Sequence, residues 1–202
     1  RKNLVVQQLR HGVAYLLNKN QVALVTGQGC LVSPTRVRVT SPEGKVQEIE
    51  ADNIIIATGS QPVLLPGISP NSRAVATSTE ALGWDTLPES LVIIGGGVIG
   101  CEFAVLFSTF GVKVTVVEIL PRILPMIDAE LSQQYQVLLQ NSNLAIKTQT
   151  EVTAVQEEGD SVRVILSTGE MILASKVLIS VGRKLNTQGI GLEEVGVRLG
   201  PN

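Results

Sequence analysis

The sequence predicts an α/β fold built on a parallel sheet, and three observations carry that prediction. The stretch Leu91–Glu118 reads as strand, glycine-rich turn, helix, second strand and terminal carboxylate. Two further apolar runs, Leu144–Thr148 and Lys176–Val181, have the unbroken hydrophobic character of strands buried on both faces. Between those runs, Val152–Gln156 and Val162–Leu166 alternate around Gly159-Asp160 in the manner of antiparallel strands. A β-meander crossover between parallel strands is therefore expected.

Taken in order, the chain first shows Leu4, Val5, Leu9, Val13, Leu16 and Leu17 at helical spacing, closed by Asn18-Lys19-Asn20. A strand is expected at Val22–Thr26, followed by Gly27-Gln28-Gly29. Arg36–Thr40 and Lys45–Glu50 read as β segments joined by a turn at Pro42-Glu43-Gly44. Asn53–Ala57, with three consecutive isoleucines, reads as a buried strand ending in Thr58-Gly59-Ser60. The stretch Gln61–Asn71 carries Pro62, Pro66 and Pro70 and reads as a linker. Residues 1–70 and 71–184 are thus expected to belong to different domains, with 185–202 returning to the first. Beyond the central stretch, Leu120–Ile127 is a proline-punctuated loop. Asp128 is placed to cap a helix with Leu131, Tyr135, Leu138 and Leu139 on one face. The glycine-rich 189–202 has no clear period.

The central stretch carries the chemistry. Leu91–Ile94 runs into Gly95-Gly96-Gly97-Val98-Ile99-Gly100, a G-x-G-x-x-G at the junction of strand and helix. In that pattern the first glycine allows a tight turn, the second a close approach of backbone to a pyrophosphate, and the third a close packing of helix on strand. The helix runs to about Phe110 and stops at Gly111, with Ala104 small enough for helix–sheet packing. Its amino-terminal amides and dipole favour a phosphate. Lys113–Val117 follows as a strand, and Glu118 stands at its end, 18 residues after Gly100. A carboxylate there can accept hydrogen bonds from both hydroxyls of an adenosine ribose and repels a 2′-phosphate; no arginine follows until Arg122. These features define a Rossmann-like domain and favour NAD over NADP.

Composition excludes other classes. The 202 residues include 16 Lys and Arg against 18 Asp and Glu, a net charge of -2 with no basic run, which argues against nucleic acid. No apolar run is long enough to span a bilayer, so no membrane association is expected. Cys30 and Cys101 form neither a C-x-x-C nor a disulfide framework, so a cytoplasmic, reducing setting is expected.

Five stretches in this order resemble the pyridine nucleotide–disulfide oxidoreductases, and among them the members that oxidise a dihydrolipoyl dithiol. They are Thr26–Gly29, Ile54–Ser60 (IIIATGS), Val92–Glu102 (VIIGGGVIGCE), Val116–Glu118 and Ser180–Asn186 (SVGRKLN). The resemblance implies FAD at Gly29, Thr58, Gly59 and Ser60. It implies NAD at Gly95, Gly96, Gly97, Val98, Ile99, Gly100, Cys101, Glu102, Glu118, Val152 and Gly182, with Glu102 near the place where flavin and nicotinamide stack. It further implies a homodimer and a lipoyl-bearing protein or dithiol as substrate. The family's amino-terminal FAD fingerprint, its C-x-x-x-x-C and its carboxy-terminal His-Glu pair do not occur in this sequence, whose single histidine is His11. The sequence is accordingly expected to be an internal segment, with no catalytic residue of its own. A mercuric reductase or soluble transhydrogenase is the neighbouring reading, and a stand-alone nucleotide-binding module without redox chemistry is the other.

Plainer roles compete at several positions. Cys101 and Cys30 read more simply as small packing residues, and His11 as part of a solvated helix face. Val152 reads as a core strand residue whose nucleotide contact rests on the resemblance alone. Contact at Gly182-Arg183-Lys184 is expected from the Gly182 backbone.

Overall fold

The structure, a computed structural model, describes residues 1–70, 73–140 and 143–200. Asn71, where the sequence reading ends the linker and opens the second domain, lies outside the described residues, as do Pro201 and Asn202. The chain divides into two compact units, Arg1–Gly59 with the chain from Asn186 on, and Ser60–Leu185.

The first unit opens with helix α1 (Lys2–Lys19), at the place the spacing predicts. Asn20 closes it by donating its side-chain amide to Leu16 O at 2.8 Å. No residue of α1 is buried, and Leu4, Leu9, Val13 and Leu16 all face solvent. Strands β1 (Gln28–Ser33), β2 (Arg36–Thr40) and β3 (Val46–Glu50) form an antiparallel sheet in chain order. Its second hairpin carries an Arg38–Glu48 ion pair at 2.9 Å across directly opposed positions.

Two expected strands of this unit do not form. Val22–Thr26 and Asn53–Ala57 are irregular, and among the described residues neither pairs with a strand. Leu24 is 76% and Ile55 91% exposed, so the run read as buried is not. β-branched composition states a preference for extended backbone, but a strand forms only where a neighbour takes up its N–H and C=O groups. Gly29 lies within β1 opposite Val39 rather than in a turn after a strand.

The second unit opens with β4 (Ser60–Pro62), β5 (Val75–Thr77) and the short helix α2 (Ser78–Ala81). Next come β6 (Ser90–Ile94), α3 (Val98–Thr109), β7 (Lys113–Val117), α4 (Ala129–Leu139) and β8 (Leu144–Lys147). The meander β9 (Val152–Glu158), β10 (Ser161–Leu166) and β11 (Met171–Ala174) leads to β12 (Lys176–Ile179) and β13 (Arg183–Leu185). The main sheet is all parallel, in the order β5-β12-β6-β7-β8. β9, β10 and β11 form the expected antiparallel crossover between β8 and β12. The proline-bearing stretch is less of a linker than its composition suggests. β4 pairs with β13, placing Pro62 opposite Arg183, and Ile68 is buried in the core.

Alternation along the central strand sets the layers. Val92 and Ile94 pack with Val162, Val164 and Leu166 of the meander, whereas Leu91 and Ile93 pack with Phe103, Ala104 and Phe107 of α3. All four strand residues are buried, as the unbroken apolar run predicts. Ala104 is fully buried at the helix–sheet contact. α3 closes at Phe110, and Gly111 follows at φ +83, the left-handed conformation its sequence position predicts. α4 is capped by Asp128, whose carboxylate accepts from Glu130 N at 2.9 Å. Its inward face is in part the one expected. Tyr135 and Leu139 turn inward, joined by Ser132, which donates its hydroxyl to Ile123 O at 2.6 Å, while Leu131 and Leu138 are exposed.

Candidate functional site

The register of the parallel sheet brings the candidate residues together. Ile179, Ile94 and Val117 stand level on β12, β6 and β7. The next residue on each strand, Ser180, Gly95 and Glu118, therefore reaches the same carboxyl edge of the sheet. In open α/β sheets this edge is where ligands bind.

Each glycine of the turn has its own constraint. Gly95 has φ +104, and a Cβ there would lie 2.6 Å from Ser180 O. A Cβ on Gly100 would lie 2.0 Å from Gly95 O, so the third glycine lets the helix start fold over the turn itself. At Gly97 a Cβ would meet nothing within 4 Å. Gly97 is also the N-cap of α3 and supplies no capping side chain, so the first amides of that helix are not capped by a side chain.

Glu118 is buried, at 6% exposure, and both carboxylate oxygens are held: Oε2 accepts from Gly96 N at 2.6 Å and Oε1 from Leu120 N at 2.8 Å. Each oxygen retains acceptor capacity. The carboxylate borders a cleft of about 620 Å³. Around it run the turn and helix start (Gly95, Gly97, Val98, Ile99), the end of β7 (Val117, Glu118, Ile119, Leu120) and the loop Leu124–Ile127. Thr150–Val152 and Ser180–Gly182 complete most of the lining. The lining holds two carboxylates, Glu118 and Glu151, and among its residues no Lys, Arg or His.

Of the residues expected at the nucleotide, the cleft gathers Gly95, Gly97, Val98, Ile99, Glu118, Val152 and Gly182, while Gly96, Gly100, Cys101 and Glu102 are not in its lining. Gly96 acts from behind, through its hydrogen bond to Glu118. Cys101 is buried against Ile123 and Leu124 and donates its thiol to Gly96 O at 3.4 Å. Burial, and secondarily the Glu118 charge, pushes its pKa up to about 11, the opposite of an activated thiol. Glu102 is on the exposed side of α3.

The residues expected at FAD are placed otherwise. Gly29 is in β1, and Thr58 donates its hydroxyl to Asn186 O at 2.7 Å. Gly59, at φ +72, accepts from Asn186 N. Ser60 opens the second unit, its hydroxyl accepting from Arg183 Nε at 2.7 Å.

The loop Leu124–Ile127, Thr150 and Ser180 line the cleft without being singled out by the sequence as site residues. Ser180 was within reach: parallel strands end at a common edge, so the residue after Ile179 had to face the turn after Ile94.

The open backbone at Gly97, the helix start without a side-chain cap and the fixed carboxylate fit a dinucleotide.

With this geometry in place, comparison with known proteins defines the class. The family described as pyridine nucleotide-disulphide oxidoreductase matches residues 4–202, and the chain belongs to that family. Its members are FAD- and NAD(P)-dependent disulfide oxidoreductases, the two nucleotides the sequence leads one to expect. The chain is 41% identical over 197 residues to a dihydrolipoyl dehydrogenase of Chlamydia pneumoniae, covering 98% of this chain and 42% of that one. It is 37% identical over 201 residues to leghemoglobin reductase of Glycine max, covering 97% and 38%. Among solved structures, LpdA from Mycobacterium tuberculosis superposes with a TM-score of 0.86 at 31% identity, covering 98% of this chain and 44% of that one. The chain thus spans less than half the length of these relatives. Among the described residues, no helix is long and apolar enough to cross a membrane.

Proposed function

We propose that this chain supplies the NAD-binding part of a dihydrolipoyl dehydrogenase, a homodimeric flavoprotein of reducing, cytoplasmic surroundings. Its reaction takes dihydrolipoamide, carried on a lipoyl-bearing protein, and NAD+ to lipoamide, NADH and a proton. The names of the similar proteins support the reaction, and the cleft supports the nucleotide.

The observation that carries the reading is Glu118, a carboxylate fixed by two backbone amides at the edge of an apolar cleft whose lining holds no cation. In this reading the amides at the start of α3 bind the pyrophosphate, the preference of a helix amino terminus for anions. Glu118 accepts from the adenosine ribose hydroxyls, and Val152 and Gly182 border the nucleotide. When bound, the nicotinamide accepts a hydride. Glu102 belongs near the nicotinamide, and Gly29, Thr58, Gly59 and Ser60 contribute to the flavin side of a longer chain.

Titration calorimetry on the chain tests the nucleotide. NADH is expected to bind more tightly than NADPH. Glu118→Ala should weaken NADH about ten-fold or more, since two charge-assisted hydrogen bonds exceed the roughly 1.4 kcal/mol of one decade. The NADPH loss should be smaller, because the same change removes a repulsion from the 2′-phosphate. Equal wild-type affinities for the two nucleotides would remove the assignment.

A further inference from the structure

The peptide unit joining Gly95 to Gly96 is held at both ends by side chains that border the cleft. Its N–H, on Gly96, donates to Glu118 Oε2 at 2.6 Å. Its C=O, on Gly95, accepts from the hydroxyl of Ser180 at 3.0 Å. The same hydroxyl lies 3.0 Å from Ile94 O, which also accepts from Ser180 N at 2.8 Å. Of the two carbonyls the hydroxyl reaches, Gly95 O is the one in the glycine turn. The fit around it is close: a Cβ on Gly100 would lie 2.8 Å from Ser180 Oγ, and one on Gly95 would lie 2.6 Å from Ser180 O. Ser180 occupies the notch that the two glycines leave.

We propose that Ser180 is a positioning residue for the dinucleotide, holding the Gly95–Gly96 peptide plane against rotation so that the glycine turn is already in its binding conformation before ligand arrives; this rests on the nucleotide reading above. Three consecutive glycines have the widest backbone freedom of any tripeptide, and a turn made of them loses the most entropy when a ligand fixes it. Clamping one plane from two strands removes that loss in advance, which is where preorganisation gains affinity. A hydroxyl suits the position: it donates, and it is small enough to lie between Gly95 and Gly100.

The role separates nucleotides by their phosphates. A ligand that uses the turn depends on Ser180; one that uses only the ribose and base end of the cleft does not. Ser180→Ala should weaken NADH and ADP-ribose about five-fold, the scale of one neutral hydrogen bond, and leave adenosine unchanged. Amide exchange at Gly96 and Gly97 should accelerate in the free variant. Ser180→Thr, which keeps the hydroxyl, should restore most of the NADH affinity. Calorimetry reads the first two ligands and ligand-observed NMR reads adenosine. Unchanged NADH affinity in Ser180→Ala overturns the proposal, and so does an equal loss for adenosine, which would mark a purely structural residue. If Ser180→Ala fails to fold, Ser180→Cys keeps the side-chain shape with a larger atom and a weaker donor and should show the same selective loss; full NADH affinity there is the overturning result. Failure of the wild-type chain to bind NADH is a different outcome, and it removes the nucleotide reading itself.

Discussion

At the scale of single residues, the glycines of one motif do different work, and substitution separates them. Gly100→Ala places a Cβ 2.0 Å from Gly95 O, a backbone atom that cannot swing aside. Overpacking of this kind costs about 1–3 kcal/mol, so denaturant unfolding should show a clear loss of stability. Gly97→Ala meets nothing within 4 Å and should cost less stability than Gly100→Ala, about 0.5–1 kcal/mol for the poorer N-cap. The added methyl borders the cleft, however, so NADH affinity should fall. Cys101 gives a pH dependence. Its folded-state pKa of about 11 lies above the ordinary thiol value, so the folded chain retains a proton that the unfolded chain loses. The stability this contributes is complete below the ordinary value of about 9 and is lost as pH rises towards 11. Cys101→Ala should flatten that alkaline decline in unfolding experiments. At pH 8, mass spectrometry should find iodoacetamide on the half-buried Cys30 and not on Cys101.

At the scale of elements, ends are better specified than faces. Asp128 caps α4 by accepting from Glu130 N at 2.9 Å and Leu131 N at 3.4 Å. Asp128→Ala should cost about 1 kcal/mol, read as a lowered unfolding midpoint. The loss bears on the cleft, because α4 follows directly on the loop Leu124–Ile127 and Ser132 holds that loop through Ile123 O. At α2, Thr77 and Glu80 form a reciprocal capping box, and the Thr77 hydroxyl, as the largest effect, holds the Glu80 pKa below its ordinary value.

At the scale of the whole molecule, the two units bear differently on function. The cleft and its lining belong to Ser60–Leu185, so the nucleotide site proposed above lies within one unit. The two cysteines belong to different units, and one is a buried thiol with a raised pKa. Dithiol oxidation requires a pair of cysteines able to form and exchange a disulfide. This chain by itself, supplied with FAD, should therefore show no reduction of NAD+ by dihydrolipoamide in a spectrophotometric assay; turnover above background would contradict the assignment of that chemistry to a longer chain.

The sequence by itself determined the core around the glycine turn. The apolar runs at β6, β7 and β12, the glycine spacing, the stop at Gly111, the cap at Asp128 and the acid at Glu118 are local signals, and each appears in the structure where the sequence puts it. Turns, caps and strand ends depend on a few adjacent residues, so they are legible without a fold. Tertiary structure decided what depends on partners distant in the chain. Ile54–Ile56 carries as strong a β signal as Leu91–Ile94, yet it stays irregular for want of a paired strand among the described residues. Leu131 and Leu138 stay exposed on α4 while Tyr135 and Leu139 pack inward and Ser132 bonds to Ile123 O, a choice among apolar residues that the spacing alone does not make. Ser180 meets Gly95 across 85 residues only because the strands before them share a register. Hydrogen-bond pairing and packing are satisfied across space, and a composition pattern records the need for a partner without recording which one is there.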